Sequence, residues 1–247
     1  MFDAKLEVER ICEFIRKYFK DNGLTGVVLG ISGGKDSAVV AGLFCKALGA
    51  ENVYGLSLPC HSKESDYEDA KVVSEHFGFK LDKVDLTSTY DAFVGEASGF
   101  VDVNNSDNAN QNLKPKLRMS AAYYFASAKS VGGKRYVVAG TSNKCELYVG
   151  YFTKGGDTTY DIGTITNFKV SEVIKIGEAL GVPEKVLYKA PSDGLSGKTD
   201  EDKLGVTYAE IEDVMDGKPV DPKVEEKVKR LHENNQHKFN IPTYERW

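Results

Sequence analysis

Apolar residues recur along the chain in two periods, helical and extended, that take turns. Over residues 4–19, Ile11, Phe14, Ile15 and Tyr18 fall three and four positions apart, the spacing of one buried helix face, and Asp21-Asn22-Gly23 ends the run. Residues 26–31 form an apolar, β-branched stretch bounded by glycine, which predicts a buried strand. Beyond a glycine-rich turn, Val39, Val40, Leu43, Phe44 and Ala47 predict a helix over residues 37–48. Residues 53–58 predict a strand stopped by Pro59, and Ser65-Asp66-Tyr67-Glu68 a capping box opening a helix to about Phe77. Residues 81–86 alternate as a strand would, and residues 136–139 are another short β-rich run. Two polar stretches, residues 101–112 and 192–202, read as loops, and Asp221-Pro222 opens a last helix to Asn235. Strands alternating with helices predict a doubly wound α/β fold, a mostly parallel sheet with helices on both faces. No repeat or linker divides the 247 residues, so one domain over residues 1–247 is expected.

Composition narrows the function classes. With 41% apolar and 28% charged residues the chain suits an ordinary core and a water-exposed surface. A net charge of −5 disfavours sequence-independent nucleic-acid binding, which needs basic side chains against phosphate. Cys12, Cys45, Cys60 and Cys145 form no C-x-x-C pair, so neither a zinc knuckle nor a redox motif is visible. The charged N-terminal stretch lacks a signal-peptide core, and no apolar run approaches membrane-spanning length. A soluble, cytoplasmic protein with no membrane partner is the expectation.

Candidate chemistry sits in Gly30-Ile31-Ser32-Gly33-Gly34-Lys35-Asp36-Ser37, between a predicted strand and a predicted helix. Gly33 and Gly34 allow backbone N–H groups to converge on an anion, and the helix behind them adds its own free N–H groups and positive dipole end. Ser32 and Ser37 can donate to phosphate oxygens. Asp36 would repel phosphate directly, so its sensible role is to hold magnesium between itself and the phosphates. A Walker A loop is excluded because Asp36, not Ser or Thr, follows Lys35, and the G-x-G-x-x-G fingerprint is absent.

Ser-Gly-Gly-Lys-Asp-Ser resembles the pyrophosphate loop of the N-type ATP pyrophosphatases, which cleave ATP between the α- and β-phosphates. Further blocks resemble the NAD synthetases within that superfamily. Asn112 with Leu113-Lys-Pro-Lys-Leu-Arg118-Met119 is similar to their N-x-x-A-R-x-R-M segment. Gly140-Thr141-Ser-Asn-Lys-Cys-Glu146 is similar to G-T-[G/S]-N-[K/R]-x-E, and Gly150-Tyr-Phe-Thr-Lys154 with Gly156-Asp157 to G-[Y/F]-[F/S]-T-K-Y-G-D. Ala190-Pro-Ser192, Gly197-Lys-Thr-Asp-Glu-Asp202, Leu204-Gly-Val-Thr-Tyr208 and His237-Lys238 match later blocks. The chain departs from the family pattern at Lys154-Gly-Gly-Asp-Thr-Thr159, lacks a proline after Asp161, and carries the next helix's lysine one position out of register, as Lys169.

The resemblance implies an adenine nucleotide alpha hydrolase-like fold and ATP-dependent amidation of deamido-NAD by ammonia, giving NAD, AMP and pyrophosphate through an acyl-adenylate. It implies ATP contacts along Gly30, Ile31, Ser32, Gly33, Gly34, Lys35, Asp36 and Ser37, and at Leu58, Thr141, Lys169 and Ser192. Deamido-NAD would be contacted by Arg118, Tyr123, Lys154, Asp161, His237 and Lys238. Asp36 and Glu146 would bind Mg2+ and, with Lys154, carry catalysis. A homodimer is implied, for which the apolar faces of the first helix and of residues 113–128 are candidate contacts. Glutamine-dependent relatives carry a glutaminase domain ahead of the loop. Only about thirty residues precede it here, so free ammonia, or ammonia from a separate glutaminase subunit, is expected to be the nitrogen donor. Two alternatives are a tRNA-modifying pyrophosphatase, which would call for catalytic cysteines and a basic surface, and an adenine-nucleotide sensor, against which Asp36 and Glu146 argue.

Overall fold

The computed structural model describes residues 2–189 and 199–245. In chain order the elements are α1 (Ala4–Asn22), β1 (Gly26–Gly30), α2 (Lys35–Leu48), β2 (Val53–Ser57), α3 (Glu64–Phe77), β3 (Lys80–Lys83), α4 (Thr87–Ala97) and α5 (Asp107–Lys129). There follow β4 (Tyr136–Gly140), α6 (Lys144–Val149), β5 (Ile162–Gly163), α7 (Val170–Leu180), α8 (Glu184–Leu187), α9 (Asp200–Leu204), α10 (Tyr208–Met215) and α11 (Pro222–Asn235). The strands form one parallel sheet ordered β3-β2-β1-β4-β5. This is the expected α/β architecture.

Side-chain alternation in the strands divides the interior. Val27 and Leu29 of β1 face a layer built from α1, α2 and α7, with Ile15, Phe44 and Ile176 at its centre. Val28, between them, faces the opposite side with Leu56, Val138 and Ala122 and Ala126 of α5. A third cluster joins α6 to the C-terminal helices through Cys145, Val149, Ile211 and Val228. Helix α1 is fixed at its start by Asp3, whose carboxylate accepts from Leu6 N at 3.1 Å, and at its end by Gly23 at φ 61°. Its apolar face buries Val8, Ile11, Cys12, Ile15 and Phe19 in the core, whereas Phe14, expected on the same face, is 50% exposed. On α5, Tyr124 stays 72% exposed.

Three local expectations change. The capping box at Ser65 is absent: α3 starts at Glu64 after Lys63, placing Ser65 inside the first turn. Of the strand read over residues 81–86, β3 keeps only the start, because Leu86 is buried as the residue that precedes α4. Within residues 101–112, α5 begins at Asp107. A polar run gives no periodic signal, but Asp102 accepts from Asn104 N and Asn110 donates to Val103 O, which shapes the entry to that helix. The helix at Pro222–Asn235 agrees with expectation, with Asp221 capping it through Lys223 N at 2.8 Å.

Candidate active site

Strand order reverses between β1 and β4. The chain leaves β1 toward β2 and returns on β1's other side as β4, which opens a crevice beyond the carboxyl ends of these two neighbours. Ligands of open α/β sheets bind in such a crevice. The loop after β1 forms one wall. Gly33 has φ +77°, and a Cβ on it would lie 2.3 Å from the Asp66 carbonyl oxygen, so no other residue fits where the loop crosses α3. Gly34 is extended (φ −104°) and needs no such freedom. Ser37 Oγ donates to Gly34 O at 3.0 Å and accepts from Ser32 N at 3.3 Å, while Ser32 Oγ accepts from Gly34 N at 3.2 Å. These bonds within the loop fix its shape. It aims the N-terminus of the 14-residue α2 at the crevice, a site suited to phosphate.

The loop after β4 supplies the facing wall. Asn143 is fully buried and caps α6, accepting from Cys145 N and Glu146 N, while the Glu146 carboxylate accepts from Asn143 N at 3.0 Å. The Asn143 amide also donates to Asp36 Oδ1 at 3.3 Å, joining the two walls. Lys35 is buried and pairs with Asp36 Oδ2 at 3.0 Å. Asp200, buried as well, accepts from the Tyr151 hydroxyl at 3.2 Å and the Tyr208 hydroxyl at 3.4 Å. Burial, and then the neighbouring charge of Asp36, push the Glu146 carboxyl well above the usual carboxylate range. Asp36 and Glu146 both border the cleft, and carboxylate oxygens are suited to a hard dication. Mg2+ commonly takes one or two carboxylates together with substrate phosphates, so Asp36 and Glu146 fit it.

The cleft between these walls measures about 340 Å3. Of the residues expected at ATP, Gly30 to Ser32, Gly34 to Ser37, Leu58 and Thr141 line it, with Glu146 and Arg118. Gly33 lies behind the lining, holding the loop to α3. The Arg118 guanidinium donates to Leu58 O at 3.0 Å and Ser62 Oγ at 3.3 Å. Asp157 and Tyr160 also border the cleft, and burial raises the pKa of both.

Other expected residues lie elsewhere. Tyr123 donates its hydroxyl to Asp161 Oδ1 at 3.1 Å, and Asp161 Oδ2 accepts from Val138 N at 2.8 Å, a tie across the sheet edge. Lys154 donates to the His237 carbonyl at 3.1 Å, and Lys238 donates to the carbonyls of Gly150 and Phe152 at 2.7 and 2.9 Å. These three form a separate corner outside the cleft wall. Lys169 is paired with Asp216 and does not line the cleft. Ser192 lies outside the described residues. Burial pushes the Cys145 thiol up to about 12, which removes it as a nucleophile at neutral pH.

Sequence reasoning missed Asn143, Asp157, Lys189 and Asp200 as parts of this site. Lys189 borders the cleft and bridges Asp66 at 2.9 Å and Asp69 at 2.7 Å, fastening the chain after α8 to α3 behind the Gly33 turn. The signal for Asp200 was present in the matching Gly-Lys-Thr-Asp-Glu block; Lys189 stands in no motif.

Comparisons with known proteins agree with this geometry. The family model described as NAD synthase matches residues 7–242. An NH3-dependent NAD+ synthetase of Carboxydothermus hydrogenoformans is 38% identical over 237 residues, covering 96% of this chain and 95% of that protein. Among solved structures, an NMN synthetase from Francisella tularensis superposes with TM-score 0.91 at 34% identity, and an NH3-dependent NAD synthetase from Campylobacter jejuni with 0.79 at 29%. Both cover 100% of each chain. Matched over nearly its whole length, the chain belongs to the NAD synthase family.

Proposed function

We propose that this chain catalyses ATP-dependent amidation of deamido-NAD with ammonia, releasing NAD, AMP and pyrophosphate. The observation that carries this reading is the Gly33 turn and the α2 N-terminus, with Asp36 in its first turn, facing Glu146 across one cleft. The backbone N–H groups of the loop and the Ser32 and Ser37 hydroxyls hold the phosphates that depart as pyrophosphate. Asp36 and Glu146 would hold Mg2+, which when bound offsets phosphate charge. Thr141 and Leu58 border the nucleotide, and Arg118 orients the acidic substrate. The substrate carboxylate oxygen attacks the α-phosphorus, the bond to the β-phosphate oxygen breaks, and an acyl-adenylate forms. Ammonia nitrogen then attacks the acyl carbon, AMP leaves with the former carboxylate oxygen, and the nitrogen loses a proton. No side chain becomes covalently attached.

The same reading includes a homodimer located in the cytoplasm. No described helix is long and apolar enough to cross a membrane. Phe93, Phe100 and Val101, each more than half exposed at and after α4, support a protomer contact there. Sedimentation at micromolar concentration should show a dimer, and glutamine should not replace ammonium.

A second reading keeps the chemistry and shortens the substrate to nicotinate mononucleotide. Two observations favour it: the higher TM-score to the NMN synthetase, and the fact that Arg118 is the one expected dinucleotide contact that lines the cleft. Initial rates with deamido-NAD and with nicotinate mononucleotide, each with ATP, magnesium and ammonium, decide between them. A higher kcat/KM for deamido-NAD upholds the first reading, a higher value for the mononucleotide the second. Turnover of neither removes both.

A further inference from the structure

Lys35 follows the glycine pair of the phosphate-binding turn, yet its side chain runs inward. It is only 6% exposed, its ammonium is 3.0 Å from Asp36 Oδ2, and the Tyr208 ring centroid lies 5.6 Å away. The charges of Glu146 and Asp200 act on it as well. A buried ammonium persists only where opposite charge offsets its lost hydration, and Asp36, in direct contact, is the first source of that charge. The dependence runs both ways. Asp36, Glu146 and Asp200 share one partly dry pocket and repel one another, so positive charge stabilises them before any ligand arrives.

The two oxygens of Asp36 are already engaged. Oδ1 accepts from the Asn143 amide at 3.3 Å and Oδ2 from Lys35. A dication approaching Asp36 therefore meets an ammonium on one of the oxygens it needs. We infer that Lys35 is the resident cation of the Asp36–Glu146–Asp200 cluster, a positioning residue that holds Asp36 and competes with the divalent ion for it. The inference rests on the assignment of Asp36 and Glu146 to the metal. It deepens that assignment by setting an order: free metal is held weakly, and stable metal binding waits for the polyanionic phosphates that outweigh the added positive charge. It also separates Lys35 from the lysine of a Walker A loop, which reaches the phosphates themselves.

The test uses the nucleotide-free full chain and Mn2+ alone, with free Mn2+ measured by electron paramagnetic resonance. Lys35→Met should bind Mn2+ on the order of tenfold more tightly than the unaltered protein, since a nearby positive charge is gone. Lys35→Arg, which keeps the charge, should bind as the unaltered protein does. Equal or weaker binding by Lys35→Met overturns the inference. A second measurement needs no variant: with 15N-labelled lysine, the Lys35 ammonium should give a signal protected from water exchange that shifts as Mg2+ is added. A fixed signal, or one already exchanging freely, contradicts the proposal. No nucleotide or carboxylate substrate is present, so failure of the amidation reading and failure of this one show in different experiments.

Discussion

The carboxylate end of the cleft and the corner formed by Lys154, His237 and Lys238 both gather charged side chains, but they use the charge differently. At the cleft, Lys35, Asp36, Glu146 and Asp200 are drawn together on α2, α6 and α9, and like charges share a poorly hydrated space. At the corner each ammonium donates to backbone carbonyls: Lys154 to His237, and Lys238 to Gly150 and Phe152. Gly150 and Phe152 stand at the C-terminal side of α6, where a cation is favoured by the helix dipole and by carbonyls without helical partners. One region holds repulsion that a ligand can relieve. The other is already satisfied.

Substitutions can break or sharpen that contrast. Asp36→Ala should produce the largest change, lowering kcat about a thousandfold while the circular dichroism spectrum stays unaltered. Retained turnover would remove Asp36 as an essential group. Gly33→Ala should come next, because it combines a left-handed backbone with a Cβ 2.3 Å from Asp66 O. A loss of about 2 kcal/mol in urea unfolding, with a raised KM for ATP, is expected. Lys238→Met should lower stability by about 2 kcal/mol through two lost carbonyl contacts and leave kcat/KM within about threefold. A much larger fall in kcat/KM at unchanged stability would place Lys238 on the substrate.

The smallest effect concerns acid. Burial opposes ionisation of Asp69, but hydrogen bonds and charge from Lys185 and Lys189 outweigh it and hold the carboxyl below its ordinary 3.8. An acid with a depressed folded pKa adds stability that is present above the unfolded value and lost as pH falls through the folded one. Stability should therefore decline on acidification below pH 3.8. In Lys189→Met that decline should be shallower, as read from urea midpoints across pH.

Much of this was legible in the chain. The turn from Gly30 to Ser37 could be read from residue types alone, because a strand, a glycine pair and a helix start are local features. Glu146 could be read only by resemblance, since its meaning depends on Asp36, 110 positions earlier in the chain. The resemblance makes Lys35 an ATP contact, and nothing local reveals that its side chain turns inward. That depends on where α9 and α10 bring Asp200 and Tyr208. Lys189 carried no signal, because its role arises from packing α8 against α3. The start of α5 was hidden for the opposite reason: its first turns are polar and largely exposed, so no apolar period marks them.

The central claim is that this cleft adenylates a nicotinate carboxylate before ammonia arrives. Substrate bearing 18O in that carboxylate, turned over with ATP, magnesium and ammonium, tests it most directly by mass spectrometry of the products. One labelled oxygen should appear in AMP for each amide formed, with none in pyrophosphate. Amide formed with unlabelled AMP, or label recovered in pyrophosphate, would contradict the account.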